Sequence, residues 1–175
     1  MITYRLRDAM PASRRHEWEA LLALENEREK RIKIEAYLDS GRGECWLRRP
    51  EIAALVQQNL LHFDGSRYRL LAWVVMPNHV HTLIETSQTP LADILNGWKS
   101  YTGKAANRLL KRTANFWQAE YFDRFIRDEE HFRKAVHYIE NNPVKAGLVN
   151  LPEEWIFGSS CYRSAGGSPA CSVAP

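Results

Sequence analysis

Hydrophobic and polar positions along the chain change period several times, and each change marks an element. Ile2 to Arg7 reads as a short strand, closed by Asp8 to Pro11. Ser13 then caps a predicted helix that carries Trp18, Leu21 and Leu22 and runs, heavily charged, to about Leu38. Asp39 to Glu44, DSGRGE, is a glycine-rich break. Arg49-Pro50 opens a second helix with proline at its first position, and Ile52, Leu55, Val56, Leu60 and Phe63 form one apolar stripe. Tyr68 to Glu85 predicts two apolar strands joined at Met76-Pro77-Asn78.

After that hairpin, Thr89-Pro90 begins a helix with the stripe Leu91, Ile94, Leu95, Trp98, Thr102, Ala105 and Leu109. Asn115 to Arg127 has neither period and reads as extended or irregular. Asp128 caps a last helix with Glu129 and Glu130 in its first turn and a stripe of Phe132, Ala135, Val136 and Ile139. Tyr138 and Asn142 lie one turn apart, outside that stripe, and Pro143 is expected to end or kink the helix. One further turn stops at Gly147. The order predicts an α+β fold, with helices on one face of a small antiparallel sheet and an exposed opposite face.

Composition narrows this little. The 175 residues suit one domain, taken as residues 1–163, with a small, polar tail over residues 164–175 expected to be weakly ordered. Cys45, Cys161 and Cys171 are an odd set without CxxC spacing, which points away from a disulfide framework or zinc knuckle and towards a reducing cytoplasm. No apolar run approaches the ~18 residues of a membrane span, so a soluble cytoplasmic protein is expected. Charge is more telling in its distribution than in its total of +3. Gly97 to Arg127 holds Lys99, Lys104, Arg108, Lys111, Arg112, Arg124 and Arg127 against Glu120 and Asp123, interleaved with aromatic rings. Such a segment suits a nucleic-acid strand, or else a solvated basic face over a core.

The chemistry centres on His79-Val80-His81. Alternate residues of a strand share a face, so both imidazoles project together as two ligands for a divalent metal. Two histidines on a strand are equally compatible with surface or hydrogen-bonded roles. Leu83 and Ile84 stand where a His-x-His-x-Asp-His metal site needs its later ligands, and Leu83 also stands where a histidine triad needs its third ring.

Ala72-Trp73-Val74-Val75-Met76-Pro77-Asn78-His79-Val80-His81 resembles the histidine-hydrophobe-histidine motif of the single-tyrosine transposases. Tyr138-Ile139-Glu140-Asn141-Asn142-Pro143-Val144-Lys145-Ala146-Gly147-Leu148 is similar to their nucleophile helix. With Trp117 to Arg127 and Trp155 to Arg163, the likeness covers about Tyr68 to Arg163 and is greatest to the REP-associated branch. Helices Ser13 to Leu38 and Arg49 to Phe63 match only loosely.

The resemblance implies a ferredoxin-like or RRM-like sheet and a metal-dependent endonuclease and strand transferase for single-stranded DNA. His79 and His81 hold Mg²⁺ or Mn²⁺, and Tyr138 attacks to leave a 5′-phosphotyrosyl link and a free 3′-OH. Asn142, one turn beyond Tyr138, is placed as a third ligand, and Lys134 is a candidate to assist the phenol. Tyr121 is the rival nucleophile. The implied partner is a palindromic hairpin with single-stranded flanks. Lys99, Lys104, Arg108, Lys111, Arg112 and Arg124 are expected to meet its phosphates, and Trp117, Tyr121 and Phe122 to stack on its bases. A monomer is expected, with a homodimer as the alternative. Two other classes compete: a non-catalytic single-strand-binding module with a decayed metal site, and a hydrolase of small phosphoesters.

Overall fold

The computed structural model describes residues 1–10 and 12–166, so most of the tail predicted beyond residue 163 lies outside it. Its strands are β1 (Ile2–Arg5), β2 (Arg69–Val75), β3 (His79–Glu85) and β4 (Phe122–Asp123). Helices are α1 (Arg15–Leu22), α2 (Glu27–Asp39), α3 (Pro50–His62), α4 (Leu91–Leu109), α5 (Glu129–Lys145) and α6 (Ser159–Ser164). All pairings are antiparallel, in the order β2-β3-β1-β4. The expected α+β class holds, and the tight turn after Met76 makes β2 and β3 the predicted hairpin.

One sheet face carries Tyr4, Val80, Trp73 and Val75 into a large core with Ile52, Val56, Leu60, Ile94, Leu95 and Trp98 of α3 and α4. Burying each such aliphatic side chain stabilises by roughly 1.5–3 kcal/mol, so this layer holds the sheet rigid. The second face carries Ala72, Val74, Met76 and Leu83, against which α5 packs Ala135 and Ile139. That face was expected to be exposed. Instead α5 and the C-terminal end of α2 cover it, because the α5 stripe is itself apolar and needs a partner.

Three local expectations change. The helix predicted from Ser13 to Leu38 is two helices: Asn26 Oδ1 accepts from Glu29 N at 3.0 Å, starting α2 afresh after a turn at Ala23. Pro143 lies inside α5, which continues to Lys145 before Gly147 adopts φ +67° and stops it. Tyr138 and Asn142 face inwards with the apolar stripe rather than away from it. Asp128 does cap α5, accepting from His131 N at 2.7 Å. Cys45 is free and buried. No helix among the described residues is long and apolar enough to cross a membrane.

The glycine-rich break is a fitted bridge between α2 and the sheet. Gly43 has φ +85°, and a Cβ there would lie 2.3 Å from the Asp8 carbonyl oxygen. Both the left-handed backbone and the backbone contact exclude a side chain. Gly43→Ala is expected to destabilise the fold by about 2–4 kcal/mol, read as a lower urea midpoint at an unchanged slope.

Candidate functional site

His79 and His81 stand on β3, an interior strand between β2 and β1, and both rings are fully buried. Their orientation is set from outside the pair. Asn78 donates through Nδ2 to the carbonyls of Leu38 (3.2 Å) and Arg42 (3.0 Å), which turns its Oδ1 towards His79 Nδ1 at 2.7 Å. An amide oxygen only accepts, so His79 Nδ1 carries the proton and Nε2 presents a lone pair. His81 Nδ1 lies 2.7 Å from Thr3 Oγ1 on β1, its direct cross-strand neighbour. A hydroxyl both donates and accepts, so Thr3 suits either His81 tautomer.

The two Nε2 atoms converge at 3.0 Å, with Asp39 Oδ1 3.7 Å from that of His79. Two imidazoles and one carboxylate, all with ligand atoms within 4.8 Å of one another, form a cluster that could hold a divalent metal. Burial lowers the pKa of His81 to about 3 and that of His79 well below its ordinary range, with the neighbouring Lys145 acting the same way. Both rings are therefore neutral at pH 7, the form in which they ligate.

Tyr138 enters from α5 with its ring centroid 5.3 Å from that of His81. Its hydroxyl makes no full hydrogen bond, although Glu35 and Asn142 are near enough to act on it. Burial, then the charges of Glu35 and Asp39, raise its pKa far above that of a free phenol. Asn142 is wholly buried, and neither its Oδ1 nor its Nδ2 has a partner. A buried unsatisfied amide is costly, which fits a group held for a ligand. Lys145 bonds Asp39 Oδ2 at 2.9 Å and sits 5.6 Å from the Tyr138 ring centroid, tying α2, α5 and the tyrosine together.

Sequence reasoning missed Asp39, Glu35, Thr3, Asn78 and Lys145 as members of the site. Asn78 and Lys145 lay inside the two motifs, and nothing in their spacing marked them. Other expected residues fall elsewhere. Lys134 pairs with Glu130 at 2.5 Å on the exposed side of α5. Tyr121 lies beside Lys99, with the ammonium 5.3 Å from its ring centroid, and packs on the α3–α4 core. Lys99 donates to the carbonyls of Gln118, Ala119 and Glu120, pinning the irregular segment rather than facing outwards. Trp117 is buried edge-on to Tyr4 and donates to Thr102 Oγ1 at 2.8 Å, so it is a core ring. Lys104, Arg108, Lys111 and Arg124 are exposed, and Arg112 lies over Trp46.

The family model described as "Transposase IS200 like" matches residues 52–142, just over half of the chain. A REP-associated tyrosine transposase of Escherichia coli (strain K12) is 30% identical over 92 residues, which are 53% of this chain and 54% of that protein. A putative REP-associated tyrosine transposase of Haemophilus influenzae is 23% identical over 120 residues, 62% of this chain and 66% of that protein. The chain thus spans about half to two thirds of the length of these curated relatives. A solved structure described as the REP-associated tyrosine transposase bound to a REP hairpin shares the fold, with a TM-score of 0.59 at 19% identity, over 99% of this chain and 83% of that one.

Proposed function

Because this chain belongs to the IS200-like transposase family, we propose that it is a metal-dependent endonuclease and strand transferase for single-stranded DNA, working through a 5′-phosphotyrosine at Tyr138. The observation that carries this reading is the convergence of Tyr138 from α5 on the His79–His81 pair of β3. Neither residue type alone implies the chemistry. A phenol beside two neutral imidazoles and a carboxylate is a nucleophile beside a metal cluster.

His79, His81 and Asp39 would hold the ion, with the unpartnered Asn142 amide as a further oxygen donor. Mg²⁺ or Mn²⁺ bound there supplies Lewis-acid polarisation of the scissile phosphate. Tyr138 Oη would attack phosphorus as the bond to the 3′ oxygen breaks, and that oxygen takes up a proton from solvent to leave as a 3′-OH. Glu35, whose carboxylate acts on the phenol, is the proposed acceptor for its proton. Reversal, with a 3′-OH as nucleophile and Tyr138 as leaving group, rejoins strands without a nucleotide cofactor. Exposed Lys104 and Arg108 of α4, and Lys111 just beyond its end, supply phosphate contacts. A hairpin of the REP type is the proposed partner, a reading supported by the hairpin named for the solved relative.

The test is a denaturing gel of the chain with a labelled single-stranded hairpin from the DNA flanking its gene. A covalent adduct that requires Mn²⁺ and disappears with a chelator is expected. Tight, salt-dependent binding with no adduct under any ion points instead to a binding module. The histidine supports carry a separate expectation. Thr3→Val removes the partner of His81 Nδ1 and should weaken Mn²⁺ binding about 10–100-fold by calorimetry, with the melting temperature of the ion-free protein little changed.

A further inference from the structure

The sheet face that carries the histidines holds a second group of cationic and aromatic side chains beyond β1. Arg5 lies opposite His79 in the β1–β3 register, and Phe122 lies opposite Thr3 in the β1–β4 register, so both project on the histidine side. Arg5 is only 3% exposed. Its guanidinium carbon sits 4.7 Å from the Trp18 ring centroid and 5.3 Å from that of Phe122. Set against both rings, it leaves Nε and Nη1 without a hydrogen-bond partner among the described residues. Arg5 forms part of a cleft of about 790 Å³ that Arg7, Arg15, Arg112 and Gln118 also line.

A buried guanidinium with unmatched donors is expensive. Desolvating the ion costs more than stacking on aromatic faces returns. The acidic residues around the cleft are engaged elsewhere. Glu19 bonds Arg15, Asp8 accepts from the Glu44 amide, and Glu120 accepts from Gln118. Among the described residues no carboxylate hydrogen-bonds Arg5 in return, although Glu120 acts on it through space. The missing partner is an anion with several acceptor oxygens, and a phosphodiester offers them to the planar fork of arginine.

We propose that this cleft is a subsite for one phosphate of the bound strand, gripped by Arg5 one strand away from the His79–His81 pair. It rests on the DNA-processing reading above and adds a strand path, running across β1 from the reacting centre towards β4. Neither free nitrogen is open to solvent, so entry of the phosphate requires a ring against Arg5, Trp18 or Phe122, to move. Trp18 is the one fully buried residue of the eight-residue helix α1, which makes that helix the element best able to yield.

The experiment measures fluorescence anisotropy of a labelled single-stranded oligonucleotide of mixed sequence with the full chain, from about 50 to 200 mM salt. Arg5→Met should weaken binding about tenfold at the low end and reduce the slope of log K against log salt by about 0.7. Its melting temperature should stay level or rise, because an unpaired buried charge has been replaced by an apolar side chain of similar length. Arg112→Gln, in a partly exposed residue of the same cleft, should reduce the slope as well and decides the matter should Arg5→Met fail to fold. A slope unchanged in both variants overturns the subsite, as does weaker binding with an unaltered slope, which marks a base contact. Wild-type protein that neither binds the strand nor forms the adduct removes the DNA-processing reading and this proposal together. Wild type that forms the adduct while the variants keep its slope removes this proposal alone.

Discussion

Tyr138→Phe is expected to abolish the covalent protein–DNA adduct, lowering its rate by at least about a thousandfold, while hairpin binding stays within about threefold of wild type. The substitution removes one oxygen and keeps the ring that packs against His81 and the α5–sheet cluster. Nothing else in the site therefore needs to move. The lost hydroxyl is buried without a full hydrogen bond, so the variant should be at least as stable as the wild type. Activity and stability would then change in opposite senses, the mark of a group retained for chemistry rather than for folding. Tyr121→Phe is the control and should keep the adduct, because Tyr121 packs beside Lys99 and the α3–α4 core. An adduct that survives in Tyr138→Phe, or is lost only in Tyr121→Phe, moves the nucleophile and with it the proposed centre.

Acid should unfold the ion-free protein early. His79 and His81 are buried and held neutral, with pKa values below that of an unfolded histidine at about 6.5. As pH falls through that value the unfolded chain takes up two protons that the folded one refuses, so stability declines with acid and is regained above it. Between pH of about 7 and about 5 each ring accounts for about 2 kcal/mol, or about 4 for the pair. Asp39 works in the opposite sense, since its burial-raised carboxyl is protonated more readily folded than unfolded. Urea titrations at the two pH values measure the difference directly. His81→Gln should remove about half of it, and equal stability at both pH values would show that the imidazoles are not held as described.

Parts of this molecule were legible in the chain because they depend on neighbours in sequence. The β2–β3 hairpin follows from two apolar runs around Met76-Pro77-Asn78, α3 from Pro50 and its stripe, and the start of α5 from the Asp128 cap. The i, i+2 spacing put His79 and His81 on one face, and the i, i+4 spacing put Tyr138 and Asn142 on one side of a helix. The family was legible too, since its two motifs occur in order. Local signals misled where two rules competed. Asn26 restarted a helix that charge and periodicity ran together, and Pro143 sits within a helix whose packing on the sheet outweighs one missing amide hydrogen.

The sequence by itself determined the strand that bears the imidazoles, the helix that bears the phenol and the residue types of the proposed chemistry. Only the tertiary structure decided that these meet in a closed site, and what completes it. Asp39 and Glu35 come from a helix remote in sequence, Thr3 from the first strand, and the Asn78 amide is oriented by the carbonyls of Leu38 and Arg42. The same distinction separates Trp117, which looked like a base-stacking ring and is core, from Arg5, which carried no signal and is the buried cation. Spacing along a strand or helix fixes direction for residues a turn or less apart. Partners supplied across the sheet and from the α2 end depend on which apolar faces pack together, and that is settled only when the whole chain has folded.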